Sequence, residues 1–222
     1  AFLFMESNSK IINQLVWFGL TLVILAVCFA FFRELANENS KNNLSKSERL
    51  PIIAELSEFT LTNQLNNTVI LSDYIGKIWF SDIVFTRCAG PCSTMTKRMA
   101  ELQEHFADNP NVAFATLTTD PEFDTPEVMN RFAKRHNARL DNWNFLTGEK
   151  SQIVRLAVDE MKLIAREKPK GEQVTPEDLF IHSSYFVVID QRGRLRGVLE
   201  SLDDSWKNKA IDLAIKLLNE KQ

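Results

Sequence analysis

Cys88 and Cys92 have three residues between them and stand where the apolar run Lys77-Ile-Trp-Phe-Ser-Asp-Ile-Val-Phe85 gives way to an amphipathic stretch opening near Pro91. A thiol at a helix N-terminus meets unpaired backbone N–H groups and the positive end of the macrodipole, which favours the thiolate as nucleophile and as soft metal ligand. The connecting residues, Thr86-Arg87-Cys88-Ala89-Gly90-Pro91-Cys92, add a flexible glycine, a helix-starting proline and a neighbouring cation, Arg87, predicted to favour the thiolate further. Two buried structural cysteines or a static disulfide would be the plainer use of such a pair. Their position argues instead for a reactive or metal-binding pair.

Other groups could complete a metal site. His105 lies thirteen residues beyond Cys92 on the same expected helix, roughly 20 Å away, too far to share an ion. His136 ends another helix among Lys134, Arg135 and Arg139 and reads as a solvated or helix-terminal residue. His182, in Ile181-His182-Ser183-Ser184, precedes a strand in a loop that the fold can bring beside the cysteine turn. Two thiolates and one imidazole make a three-ligand soft site, whereas structural zinc takes four protein ligands in a closed tetrahedron; copper matches better. Cys28 sits within an apolar run and reads as a small apolar residue, and the stripe Met95, Met99, Leu102, Phe106 reads as core packing.

The elements that must hold these residues alternate. Strands are expected at 59–62, 69–71, 77–85, 112–118, 142–146, 185–189 and 195–199, and helices at 92–106, 125–136, 149–164 and 203–219, with Thr125 as cap and Pro126 at the first helical position. Residues 165–178 form a polar excursion of the kind that overhangs sites. This order predicts an α/β fold, a central mixed sheet flanked by helices, of thioredoxin-like type.

The chain of 222 residues is 45% hydrophobic and 25% charged, with net charge -3, which suits a globular domain. Its basic residues form no aromatic-laced stripe, which argues against a nucleic-acid partner. Leu15 to Phe32 carries no charge and, extended back to Ile11, matches the roughly 30 Å hydrocarbon core of a bilayer. No small-x-small cleavage site follows it, so an uncleaved single anchor is expected rather than an export signal, and the flanking charges leave its orientation open. The expected organisation is a tail at 1–10, a transmembrane helix at 11–32, a polar linker at 33–57 and the thioredoxin-like domain at 58–222.

Three segments together, Phe85-Thr86-Arg87-Cys88-Ala89-Gly90-Pro91-Cys92, Thr119-Asp120-Pro121-Glu122-Phe123-Asp124-Thr125-Pro126-Glu127 and His182-Ser183 before a strand, resemble the Sco/SenC family. The resemblance covers residues from about 59 to the C-terminus. It implies a membrane-anchored thioredoxin-fold protein that binds copper through Cys88, Cys92 and His182 and serves assembly of the copper A centre of cytochrome c oxidase. It also implies a domain outside the cytoplasm, on the periplasmic side of a bacterial membrane or in the mitochondrial intermembrane space. Where many members have Pro-Asp-x between the cysteines and an acidic residue before the histidine, this chain has Ala89-Gly90-Pro91 and Ile181.

Asp82 interrupts an expected buried strand six residues before Cys88, and reads either as a proton acceptor for the thiols or as a hydrogen-bonded structural acid. Asp120 and Asp124 are candidates for holding the loop near the site, and Asp124 reads equally as a partner of the helix N-terminus. Oxidation to a Cys88–Cys92 disulfide would remove both thiolate ligands, so a thiol reductant is an expected partner beside the copper-receiving oxidase subunit. The rival reading is an enzyme, a thiol-disulfide reductase acting on a client's cysteines, with a peroxidase as a weaker third.

Overall fold

The computed structural model describes residues 17, 20, 25–35, 50–88, 90–169, 171–173 and 180–220. The chain divides into two units, 1–50 and 51–222. In the first, Trp17, Leu20 and residues 25–35 are helical, and their large apolar side chains are exposed. The rest of the expected transmembrane stretch lies outside the described residues, among which no helix is long and apolar enough to cross a membrane.

The second unit is built on an eight-stranded sheet in the order β1-β10-β9-β4-β5-β6-β2-β3. Its centre is β4 (Ile78–Val84), parallel to β5 (Val112–Thr118), which is parallel to β6 (Trp143–Thr147). On the other side β4 meets β9 (Tyr185–Ile189) antiparallel, followed by β10 (Arg194–Glu200) and β1 (Ala54–Glu55); β2 (Thr60–Asn63) and β3 (Thr68–Ile70) close the far edge. Every residue of β4 and β5 is buried, as expected of strands covered on both faces.

Alternation sorts their side chains into two layers. Trp79, Ile83, Ala113, Ala115, Leu117, Val187 and Ile189 point into one core with Phe59, Leu61 and Leu156. Phe80, Phe114, Trp143 and Phe145 form an aromatic chain on the opposite face, which reaches Phe106 and Phe132. That second face is covered by α1 (Cys92–His105), α2 (Pro126–Arg135) and α4 (Trp206–Asn219). Met95, Met99 and Leu102 of α1 are fully buried, so the expected core stripe is observed. The Thr125 hydroxyl accepts from the Val128 N–H and Pro126 opens α2, as its sequence predicts.

Three expectations need correction. The helix expected to run to 164 stops early: α3 (Lys150–Val154) passes into a π-helical turn at Arg155–Glu160, and Lys162 takes a left-handed φ of 62°. The reason is a change of period, because Met161 and Leu163 are both buried at a spacing of two, which extended chain satisfies and a helix does not. Glu160 is meanwhile held by the Ser57 N–H and by Arg155. Second, the polar excursion contains β7 (Ala165–Glu167), which pairs with β8 (Phe180–His182) as a separate two-stranded ribbon. Third, the stretch read as linker already joins the sheet: Ala54 pairs with Leu195 and the Leu56 N–H bonds the Gly193 carbonyl, because Leu56 and Phe59 are core residues.

Candidate metal centre

The thiol pair sits on the turn from β4 into α1, at the carboxyl end of the central strand, with Pro91 as N-cap and Cys92 as the first helical residue. Neither cysteine is bridged in a disulfide; Cys88 is partly exposed and Cys92 is 1% exposed. The Gly90 N–H approaches Cys88 Sγ at 3.3 Å. Burial pushes the Cys92 thiol far above its ordinary value, with its hydrogen bond to Cys88 and the charges of Cys88 and Asp82 acting the same way, while a backbone hydrogen bond from Phe85 pulls it back. The expected preference for thiolate is therefore reversed at Cys92, because loss of water at the helix start outweighs the backbone donors there.

Arg87 is committed to the neighbouring loop. Its guanidinium is paired with Asp120 at 2.5 Å and lies 4.0 Å from the centre of the Phe123 ring. The loop after β5 thus clasps the cysteine turn, and Asp124 completes the clasp. Fully buried, Asp124 accepts from the Thr86 N–H at 3.1 Å, from the Thr86 hydroxyl and from the Thr118 hydroxyl at 2.5 Å. Burial raises its pKa against the lowering effect of those bonds. Asp124 is thus a loop clasp rather than a helix-terminal partner, and the hydroxyls at Thr86 and Thr118 that complete it carry no motif that a sequence reading would single out.

Asp124→Ala removes the acceptor from three donors, one buried and two partly buried, at about 1 kcal/mol each. The variant is expected to lose about 3 kcal/mol of stability by urea unfolding, and Cys88 in the folded variant should be alkylated faster than in the parent.

Asp82 is fully buried on the Phe80 face of β4, the side on which α1 packs, and its charge opposes ionisation of Cys92. The Asp120 N–H donates to the Thr118 hydroxyl while its carboxylate holds Arg87. His136 caps the C-terminal end of α2 against Phe132, 4.6 Å between rings, and its pKa is lowered by burial and by Arg135 and Lys97. His105 packs edge-on against Phe106. Neither belongs to the thiol site.

His182 was expected in a loop; its backbone instead ends β8, paired with Ala165. Its side chain lies outside the described residues, among which no group of three metal-ligating side chains is found. The strand itself comes to the cysteine turn. Phe180 meets Phe85 edge-on with ring centroids 5.2 Å apart, and Ser183 exchanges hydrogen bonds with Ile164 at the base of the ribbon. The antiparallel pairing of β9 with β4 runs from Trp79↔Ile189 to Ser81↔Val187, and β8 ends at His182, three residues before Tyr185 opens β9. The Phe85–Phe180 contact and the Lys150–Glu167 ion pair on the other strand of the ribbon escaped the sequence reading, since both link positions far apart in the chain.

Residues 51–214 match the family model described as SCO1/SenC. The SCO1 protein homolog of Bacillus subtilis is 35% identical over 147 residues, which span 65% of this chain and 73% of that protein. Among solved structures, BsSco, a member of the Sco family of cytochrome c oxidase assembly proteins in which a disulfide switch was identified, superposes with a TM-score of 0.65 at 29% identity over 78% of this chain and 99% of that one. Bradyrhizobium japonicum ScoI with copper bound shares the fold, at a TM-score of 0.60 and 22% identity over 74% of this chain and 100% of that one. With the family model spanning nearly the whole sheet domain and a thiol turn set at the end of its central strand, this chain belongs to the SCO1/SenC family.

Proposed function

We propose that the chain is a membrane-tethered copper carrier that assists assembly of the copper A centre of cytochrome c oxidase. Cys88 and Cys92 supply thiolates, His182 supplies the imidazole, and the metal passes to the client by ligand exchange. The observation that carries this reading is the docking of the His182 strand on Phe85, three residues before Cys88, beside two unbridged thiols. Copper suits that donor set, since thiolate and imidazole are its soft and borderline ligands. BsSco belongs to a family of oxidase assembly proteins and ScoI of Bradyrhizobium holds copper, which supports the same use here.

The anchor at 11–32, the tether at 33–57 and an extracytoplasmic position of the domain belong to the same proposal. They are supported by the uncharged run from Leu15 to Phe32 and by the exposed apolar side chains of its described helical residues, such as Phe29 and Phe32. Oxidation of the two thiols to a disulfide gives up two electrons and two protons to an oxidant and abolishes both sulfur ligands, so a thiol reductant restores binding.

One observation favours the reductase reading as a rival. Cys88 is accessible and Cys92 buried, the asymmetry that lets one sulfur attack a client's disulfide and the other resolve the mixed disulfide. The two are separated by metal analysis of the reduced full chain in detergent. The carrier is expected to retain one copper per chain and to show sulfur-to-copper charge-transfer absorption with Cu(II), and His182→Ala is expected to lose both while keeping thiol exchange. Function that persists in His182→Ala would establish the reductase and remove the carrier.

A further inference from the structure

We propose that Phe180 is the positioning residue that seats the histidine strand over the thiol pair, through its contact with Phe85; the inference rests on the carrier reading above. Successive residues of a strand point to opposite faces, so positions 180 and 182 share one face of β8. On that face Phe180 meets the Phe85 ring edge-on, 5.2 Å between centroids at 61°. Phe85 is only 3% exposed and closes the carboxyl end of β4. Its main chain also hydrogen-bonds Cys92. One buried residue therefore reaches both halves of the site, a sulfur through its backbone and the histidine strand through its ring.

The other fastenings of the ribbon are weaker or sit at its base. Among the described residues β7 and β8 pair with each other alone, over three residue pairs, and a two-stranded ribbon holds its place only when packed against something. The Lys150–Glu167 ion pair is about half exposed on both sides and open to screening. Ser183 and Ile164 tie the base together. The aromatic contact is thus what sets the distance between strand and thiols.

The test uses the reduced full chain in detergent, titrated with Cu(I) against a chromogenic chelator, with thiol-disulfide exchange and thermal unfolding measured in parallel. Phe180→Ala is expected to weaken copper binding about 10- to 100-fold, the range seen when a group that orients a metal ligand is removed. Thiol exchange should keep the parental rate, and Phe180→Leu, which retains an apolar side chain against Phe85, should recover most of the affinity. Parental affinity in Phe180→Ala, with copper lost in His182→Ala, would overturn the positioning role and leave the carrier reading standing. Parental affinity in His182→Ala would overturn the carrier reading and the positioning role together. A fall in thiol exchange that matches the fall in affinity would also overturn it, since general loosening of the turn then explains both.

Discussion

Cys92→Ser abolishes copper retention and disulfide formation while the chain stays folded. Serine replaces a buried thiol with a group of similar size that can still bond its neighbours, so the fold loses little. As a ligand the exchange is severe, because a hydroxyl neither ionises in this range nor offers a soft donor. For a tetrahedral site in a small zinc domain, apparent binding energies of about 10–16 kcal/mol correspond to about 3 kcal/mol per ligand, so losing one sulfur costs on the order of 100-fold or more in affinity.

The pH dependence carries the same signature. Cys92 is pushed upward chiefly by burial, so it keeps its proton at neutral pH and the metal must expel it. Copper affinity of the parent should rise about tenfold per pH unit for this one proton between about pH 6 and 8, and Cys92→Ser should lose that component of the slope. Because the folded-state pKa is raised, the linked stability is fully present below the ordinary thiol value near about 8.5 and is lost as pH rises through the folded value. Competition titrations across that range decide it; an unchanged slope in the variant would show that Cys92 is no ligand.

How much of this was legible beforehand depended on whether the signal was local. Val112–Thr118 and Tyr185–Ile189 match their expected bounds because short runs without charge, rich in β-branched and aromatic residues and flanked by turn residues, admit little else. The Thr125-Pro126 helix start was equally plain. The expected third helix runs too far because Ile153, Leu156, Ala157, Met161 and Ile164 keep a spacing of three and four, and only the tertiary pull of Met161 and Leu163 into the core shows where it ends. The cysteines and the acids near them were visible as residue types. Their electrostatics were not: whether Arg87 stabilises a thiolate depends on its commitment to Asp120 and Phe123, thirty and more residues away. The same holds for Phe180, an ordinary apolar residue until its partner is known.

Arg196→Met destabilises the domain by about 3–5 kcal/mol, the range for breaking a buried ion pair from one side. Arg196 and Asp190 are each 2% exposed and 2.7 Å apart, and Arg196 also holds Glu220, just beyond α4, at 2.8 Å and the Pro51 carbonyl at 3.2 Å. One guanidinium therefore joins the β9–β10 turn, the C-terminal end of α4 and the start of β1. Methionine fills the volume and leaves the Asp190 carboxylate buried with Arg194 and the turn amides alone. The melting temperature should fall by on the order of 10 °C for a domain of this size.

The sign with pH follows from Asp190. Burial pushes its pKa up, but the hydrogen bonds from Arg194, Arg196 and the turn amides prevail and hold it below the ordinary 3.8. A depressed carboxylate contributes stability that is present above its unfolded value and lost as pH falls through the folded one. The gap between parent and Arg196→Met should therefore be full at neutral pH and close below about pH 4. Urea unfolding of both chains at the two pH values measures it; equal midpoints at neutral pH would mean that the network contributes nothing. Since these groups touch neither cysteine, the folded variant should bind copper as the parent does, which separates the joint of the scaffold from the chemistry at the other end of the sheet.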